Sequence, residues 1–228
     1  MKNRILVIAP HADDEIIGCG GTIAKAVNEG NEVFIIIVTN ANVGAPELFN
    51  KEAMNSVREE ALNAHACLGV KETIFLNFPA PALNAFPEYK ISIELSEIIN
   101  KIRPQILYLP HPGDLHQDHK AIYRASLVSA RPQYDYSIFE IYCYETLSES
   151  EWAPQHEKAF IPNYFNDVSN FFEKKLEAMQ FYKTQIKNFP HTRSIEAFEA
   201  LAKFRGATVG VKRAESFVVE RIVKYSKI

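Results

Sequence analysis

The chain has 228 residues, of which 47% are hydrophobic and 23% charged, and its formal net charge is −3. This length and composition are typical of a globular protein with a substantial core. The small negative charge provides no general attraction to nucleic acid or to an anionic membrane. An acidic ligand would therefore have to meet a local basic group.

The cysteines and the apolar segments indicate the compartment. The three cysteines, Cys19, Cys67 and Cys143, are scattered and include no CxxC pair, which suits a reducing environment. The apolar run near the N-terminus ends at Pro10-His11 and is too short for a signal peptide, and no segment is long enough to cross a bilayer. We therefore expect a cytoplasmic protein with no membrane or nucleic-acid partner.

Strands and helices alternate through the first two thirds of the chain. Continuous apolar, β-branched runs predict buried strands at 4–9, 32–39, 73–76, 106–109 and 137–145. Helical spacing predicts helices at 14–29, 51–68, 88–102 and from the 116–119 segment to about 130, and 40–50 is predicted to be a loop. This alternation predicts an α/β fold with a mainly parallel sheet and helices on both faces.

The remaining sequence has a different character. Residues 147–166 are irregular, helices are predicted at 169–187 and 194–205, and a short strand at 216–219. No flexible linker precedes this region, so we expect a single domain, 1–228, with a core at 1–146 and a tail at 147–228 packed onto it. The aromatic side chains of the tail are expected in the core or in an interface, which is compatible with a homo-oligomer.

A polar motif, Pro10-His11-Ala12-Asp13-Asp14-Glu15, follows the first strand. One interpretation is a helix cap, with Asp13 or Asp14 as the capping side chain and His11 as a loop residue. The other is a metal or catalytic site. A second cluster, His116-Gln117-Asp118-His119, favours the latter because it follows the fourth strand in the same way.

Strand order decides whether the two clusters meet. In the order 3-2-1-4-5, strands one and four are neighbours, and ligands bind where the order reverses, at the carboxyl ends of the strands. Two histidines and a carboxylate suit Zn²⁺, with one coordination position left for water. We therefore expect His11, Asp14 and His119 to bind one metal ion per chain, for which Fe²⁺, Co²⁺ or Mn²⁺ are alternatives.

The other polar residues of the two clusters suggest the chemistry. Asp13 is not expected to point the same way as Asp14, so it is well placed to take a proton from the attacking water. His116 is placed to stabilise an oxyanion, and Asp118 to orient a histidine through its second ring nitrogen. A metal lowers the pKa of a water molecule towards ~7 and polarises a carbonyl, so the set suits amide hydrolysis.

Several other features have simpler explanations. His65 and His156 are expected to be incidental. The segment Gly18-Cys19-Gly20-Gly21 has no GxGxxG spacing and no P-loop lysine, so we interpret its small residues as helix–strand packing rather than a phosphate site. Cys19 is expected to be a small buried residue rather than a ligand or nucleophile.

Together, the motif 10–15 with Gly18-Cys19-Gly20-Gly21, and the cluster 116–119, resemble the signatures of the LmbE-like, or PIG-L, deacetylase family. Similar segments at 58–61, 68–70, 75–78, 190–194, 205–206 and 214–217 extend the resemblance over nearly the whole chain. It implies a Rossmann-like sheet and a zinc-dependent hydrolase that removes the acetyl group from an N-acetylglucosamine-type amino sugar or its conjugate. The chain departs from the family in having Ala12 where proline is usual.

The resemblance also implies residue roles. It assigns His11, Asp14 and His119 to the metal, Asp13 to general base and His116 to the oxyanion. A further arginine, Arg58, would contact the substrate. His191 and Arg193 would meet a carboxylate or phosphate on the sugar conjugate, or else pack the tail onto the core.

Two alternatives to the deacetylase function are a non-catalytic sugar-binding module and a metallo-hydrolase of another bond. In a deacetylase, the loops, including 40–50, would select the sugar.

Overall fold

The computed structural model describes residues 2–132 and 138–224. Its strands are β1 (Arg4–Ala9), β2 (Glu32–Asn40), β3 (Glu72–Pro79), β4 (Ile106–Pro110), β5 (Glu140–Tyr144), β6 (Tyr164–Asp167) and β7 (Ala214–Ile222). Its α-helices are α1 (Asp14–Asn28), α2 (Ala41–Gly44), α3 (Lys51–Leu68), α4 (Glu88–Ile102), α5 (Gln117–Ser129), α6 (Gln155–Lys158), α7 (Phe172–Met179) and α8 (Ile195–Thr208). No helix in these two ranges combines the length and apolar character needed to cross a membrane.

All the described strands belong to one sheet, in the order β3-β2-β1-β4-β5-β7-β6. The first five pair in parallel, while β7 runs antiparallel to both β5 and β6. The predicted α/β class and the order 3-2-1-4-5 are therefore confirmed. The predicted start of the fifth strand, residue 137, lies outside the described residues.

Both faces of the sheet are buried, which explains why its central strands are apolar throughout. Ile5 and Val7 of β1 pack on the side of α1, α3 and α7, whereas Leu6 and Ile8 pack on the side of α4 and α5. Successive side chains of a strand point to opposite faces, so a strand covered on both sides has no polar alternation. The predicted helices at 51–68 and 88–102 are confirmed as α3 and α4.

The prediction was wrong in several local places. The predicted loop 40–50 contains the short helix α2, which begins where the Asn40 side chain accepts a hydrogen bond from the backbone N–H of Asn42. The segment predicted to be irregular, 147–166, contains α6 and all but the last residue of β6. The terminal strand is nine residues long and lies inside the sheet, because β6 covers its outer edge.

The helix predicted at 169–187 is much shorter, because α7 ends at Met179. Beyond it the backbone turns tightly, and the N–H groups of Phe181 and Tyr182 bond to carbonyls only three residues earlier. The turn places the ring of Tyr182 fully inside the protein. Burial of this side chain therefore overrides the helical pattern of the segment.

The glycines of α1 allow close packing. A Cβ added at Gly18 would lie 2.4 Å from the ring of Tyr144, and one added at Gly21 would lie 2.9 Å from Val168. Real Cβ atoms do not approach so closely, so these positions need glycine. This contact agrees with the packing interpretation of the segment.

A buried ion pair attaches the middle of α1 to β7. The carboxylate of Glu215 accepts hydrogen bonds from the backbone N–H groups of Gly21 and Thr22, at 2.9 and 2.7 Å. Lys175 donates to Glu215 at 2.7 Å and to the carbonyl of Ile17 at 2.6 Å. The tail thereby holds the helix whose first turn contains Asp14.

Candidate metal centre and cavity

The ends of β1 and β4 bring the two polar clusters together. One ligand atom from each of His11, Asp14 and His119 lies within 4.8 Å of the others. Nδ1 of His11 and Nε2 of His119 are each 3.3 Å from Oδ2 of Asp14. A residue from the strand end, one from the first turn of α1 and one from the first turn of α5 thus converge on a single point.

The chemistry of this cluster fits a divalent cation. A tetrahedral zinc ion with bonds of 2.0–2.1 Å separates its ligand atoms by about 3.3 Å. Oδ1 of Asp14 and Nε2 of His119 are buried and have no hydrogen-bond partner among the described residues. Buried polar atoms are rarely left unpaired, so both atoms are suited to coordinate an ion.

Two carboxylates contact the ring nitrogens of His11 and His119 that do not approach Asp14. Oδ2 of Asp118 lies 3.1 Å from Nε2 of His11, and Oδ2 of Asp114 lies 2.7 Å from Nδ1 of His119. Asp114 in turn accepts a hydrogen bond from the hydroxyl of Ser150 at 2.6 Å. Such carboxylate–histidine pairs orient metal ligands. The sequence predicted this role for Asp118 but not for Asp114, whose only signal was its place in the loop after β4.

When no cation is bound, the charges of this cluster favour a protonated His11. Burial opposes a charge on His11, but the carboxylates of Asp118 and Asp14 outweigh it and raise the pKa of His11 to about 9. Burial likewise opposes the ionised form of Asp14, yet the nearby His119 and His11 lower its pKa well below the usual range. Metal ligands must lose their protons, so a cation would displace the proton of His11.

Asp13 occupies the N-cap position of α1 with φ of 121°, a conformation that favours glycine. A residue held in such a region costs about 1–3 kcal/mol, and strain of this kind gathers at functional sites. Its carboxylate accepts a hydrogen bond from Nη1 of Arg193 at 2.7 Å rather than capping the helix. Burial raises the pKa of Asp13 to about 8, against the opposing effect of the guanidinium.

His116 lines the cavity, and one of its ring nitrogens has a backbone partner. Its Nδ1 accepts the backbone N–H of Asp118 at 3.1 Å, so a neutral ring has its proton on Nε2. Burial and the charge of His11 lower the pKa of His116 to about 4. The residue is therefore a neutral hydrogen-bond donor at neutral pH.

A cavity of about 270 Å³ opens beside these residues, lined on one side by His11, Asp13 and His116. This is near the lower end of the size range of small-molecule sites. The opposite wall is formed by β2, β3, α3 and the segment just before α3, and it is largely apolar. Its large side chains are Ile37, Phe49, Met54, Val57 and Phe75.

Comparison with known proteins places the chain in a family. A family model described as PIG-L, GlcNAc-PI de-N-acetylase, matches residues 6–130, a range that includes both polar clusters. The chain belongs to the PIG-L family. The resemblance inferred from its motifs is thus confirmed.

Relatives of this PIG-L chain match over most of their length. The uncharacterized deacetylase YaiS of Escherichia coli is 32% identical over 188 residues, which cover 80% of this chain and 92% of that protein. Diacetylchitobiose deacetylase of Thermococcus kodakarensis is 30% identical over 193 residues, covering 80% and 70% respectively. The crystal structure of the conserved protein TT1542 from Thermus thermophilus superposes with a TM-score of 0.78 at 26% identity, covering 99% of this chain and 98% of that one.

Arg58 of this PIG-L member lies on the apolar wall. Its Nη2 donates to the carbonyl of Leu76 at 3.1 Å and to Oδ1 of Asn77 at 2.7 Å, and its guanidinium stacks on Phe75 at 5.0 Å. No acidic residue forms an ion pair with Arg58 within the described ranges. The positive charge of Arg58 on the cavity wall is therefore available to a ligand.

The two tail residues proposed for substrate binding lie in different places. Arg193 lines the cavity, where it also donates to Gln185 and Ser148. His191 is not among the lining residues. Its Nδ1 accepts the backbone N–H of Arg193 at 3.0 Å, and its ring contacts Trp152. The structure therefore brings Arg193, but not His191, to the acidic motif.

His65 has contacts that the sequence did not indicate. It is 1% exposed, and its Nε2 lies 3.0 Å from Oε1 of Glu15. A lone histidine in a helix has no distinctive pattern, and its partner is 50 residues away. The other histidine considered incidental, His156, is exposed on α6.

Proposed function

We propose that this protein is a zinc-dependent hydrolase that removes the acetyl group from an N-acetylglucosamine-type amino sugar or its conjugate. The observation that supports this most is the cluster of His11, Asp14 and His119 at a small-molecule cavity, with Asp13 beside it. Membership of the PIG-L family agrees with it. So does the similarity to a protein named for deacetylation of an acetylated sugar.

In this proposal Nδ1 of His11, the carboxylate of Asp14 and Nε2 of His119 hold one zinc ion. Bound zinc supplies Lewis-acid activation of the amide carbonyl and of water. Asp118 and Asp114 keep the two imidazoles turned toward the ion. Fe²⁺, Co²⁺ and Mn²⁺ suit the same ligand set.

Asp13 is the general base. Asp13 lines the cavity, and its carboxylate takes the proton of the attacking water, which the departing amine later receives. Arg193 favours the ionised carboxylate that this step requires. The strained backbone of Asp13 turns its side chain away from Asp14, so the two adjacent acids serve different purposes.

His116 stabilises the oxyanion that forms when the acetyl carbonyl is attacked. Because its Nδ1 accepts a backbone hydrogen bond, Nε2–H is free to donate into the cavity. A fixed donor of this kind is worth about 2.7–4 kcal/mol of transition-state stabilisation in a well-studied protease. The low pKa of His116 makes the donor a neutral imidazole.

Substrate contacts come from the opposite wall and from the tail. The guanidinium of Arg58, which forms no ion pair with an acidic residue of the described ranges, suits a carboxylate, phosphate or hydroxyl of the sugar conjugate. Arg193 contacts the substrate next to Asp13. His191 supports Arg193 by accepting its backbone N–H at Nδ1. The cavity favours a small molecule as the partner of this site.

The test is acetate release from a panel of N-acetyl sugars, with zinc measured in the same preparations. Asp13→Asn should lose activity and keep one zinc ion per chain, whereas His119→Ala should lose both. Asp167→Asn, at an exposed carboxylate on β6, is the control and should behave as wild type. Sugar binding without acetate release would instead indicate a binding module, and two metal ions per chain would indicate other hydrolytic chemistry.

A further inference from the structure

Glu15 contacts the backbone of Asp13 directly. Its Oε2 accepts a hydrogen bond from the N–H of Asp13 at 3.1 Å, and Glu15 itself is fully buried. The peptide that it holds leads into the residue with φ of 121°. The hydrogen bond therefore acts where the backbone of Asp13 departs from an ordinary conformation.

The second oxygen of Glu15 is anchored by two other parts of the chain. Oε1 lies 3.0 Å from Nε2 of His65 on α3 and accepts the hydroxyl of Tyr182 at 2.5 Å. The ring of His65 is fixed in turn, because its Nδ1 lies 2.8 Å from the hydroxyl of Thr73 on β3. Oε1 of Glu15 therefore contacts His65 and Tyr182, whereas Oε2 contacts Asp13.

Burial makes this arrangement rigid. Glu15, His65 and Tyr182 are each at most 1% exposed, so water cannot replace a lost partner. A buried polar network holds a single geometry when all its members are paired. The direction of the Glu15 carboxylate, and with it the N–H of Asp13, is set by α3 and by the turn after α7.

We propose that Glu15, anchored by His65 and Tyr182, is a positioning group that holds Asp13 in its strained conformation and aims its carboxylate at the reacting water. The inference rests on the proposed function, in which Asp13 is the base. None of the three residues lines the cavity or belongs to the proposed metal cluster. They act through the backbone of Asp13.

The sharpest variant is Tyr182→Phe, which keeps the buried ring and removes one hydrogen bond to Glu15. A misaligned base slows the chemical step, so kcat should fall about tenfold while KM and the zinc content stay as in wild type. Tyr142→Phe is the matched control, since Tyr142 is also buried and its hydroxyl donates to Glu140 at 2.7 Å. The control should retain wild-type kcat.

A second pair of variants tests the other anchor. His65→Leu removes the donor to Glu15, whereas His65→Gln offers an amide N–H at a similar reach. His65→Leu should lower kcat in the same way, and His65→Gln should recover most of it. A purely structural role would not distinguish the two by kcat at unchanged KM and zinc content.

Crystal structures of the same variants give a readout independent of activity. The contact between Asp13 and Arg193 should lengthen in Tyr182→Phe and in His65→Leu. If that contact and kcat both stay unchanged, the positioning role is wrong while the deacetylase proposal stands. Loss of zinc, or a rise in KM alone, would also contradict it. Absence of acetate release from wild type on every sugar would instead overturn the proposed function, and the crystallographic distance would still decide the positioning role.

Discussion

Nη1 of Arg193 donates to Oδ2 of Asp13 at 2.7 Å, although the two residues are 180 positions apart in the chain. The guanidinium comes from the tail and the carboxylate from the first helix of the core. The contact joins the two parts of the protein at the proposed base. Its removal is therefore expected to affect the chemistry of Asp13 directly.

We predict that Arg193→Met shifts the acid limb of the kcat/KM profile upward by about one pH unit. Arg193 and His11 lower the pKa of Asp13, whereas burial, Asp14 and Glu15 raise it. Loss of the guanidinium raises this pKa further, so a higher pH is needed to ionise the base. The measurement is kcat/KM against pH.

Arg205→Met is the matched control for that substitution. Arg205 and Arg193 are similarly buried, and Arg205 pairs with Glu145 at 2.7 Å outside the cavity lining. Its loss should leave the acid limb in place. An equal shift in both variants would contradict a local effect on Asp13.

We predict that Asp114→Ala weakens zinc binding about 10- to 100-fold. Asp114 orients His119 through Nδ1, and without it the ring is free to turn or to change tautomer. Competition with a chelator of known affinity measures the change. Ser150→Ala, which removes only the hydroxyl behind Asp114, should have a smaller effect. Unchanged affinity in Asp114→Ala would show that packing alone orients the ring.

Zinc affinity is expected to depend on pH. The pKa of His11 in the metal-free site is raised to about 9, so below that pH a proton competes with the cation. Affinity should rise as pH increases from 6 to 8, by about tenfold per unit for each proton displaced. Calorimetric titration in buffers of different ionisation enthalpy would also count the released protons. Affinity that stays constant over this range would contradict the prediction.

The buried pair of Lys175 and Glu215 should matter for stability. Lys175→Met leaves the Glu215 carboxylate buried without its cation, which is expected to lower the free energy of unfolding by about 3–5 kcal/mol. Lys175→Met combined with Glu215→Gln removes the uncompensated charge and should be milder. Chemical denaturation measures both, and equal losses would show that the charge is not the cause.

Close packing at Gly18 gives a further prediction. Gly18→Ala places a methyl group against the Tyr144 ring and should destabilise the fold by about 1–3 kcal/mol. In a Tyr144→Ala background the ring is absent, and the same substitution should cost less. Additive losses in a denaturation cycle would contradict a direct clash between the two residues.

Local patterns in the sequence determined much of the fold. The apolar runs predicted β1, β2 and β4 because a strand buried on both faces has no polar positions, and helical spacing predicted α3 and α4 with their observed bounds. The same reading missed β6 and overextended α7. The turn that buries Tyr182 ends α7 early, whereas β6, whose side chains are only partly buried, forms by pairing with β7.

The candidate site, like the fold, was predicted only in part from local patterns. Local patterns predicted that His11, Asp14 and His119 follow two strands, because the polar motifs and the apolar runs before them are both short-range features. That these strand ends meet depended on an inferred strand order, which the sheet confirms. The partners of the neighbouring acids became visible in the folded protein alone: Arg193 contacts Asp13, and His65 and Tyr182 contact Glu15. Contacts between such distant residues depend on how helices and tail pack against the sheet. No local pattern of polarity or spacing specifies that packing.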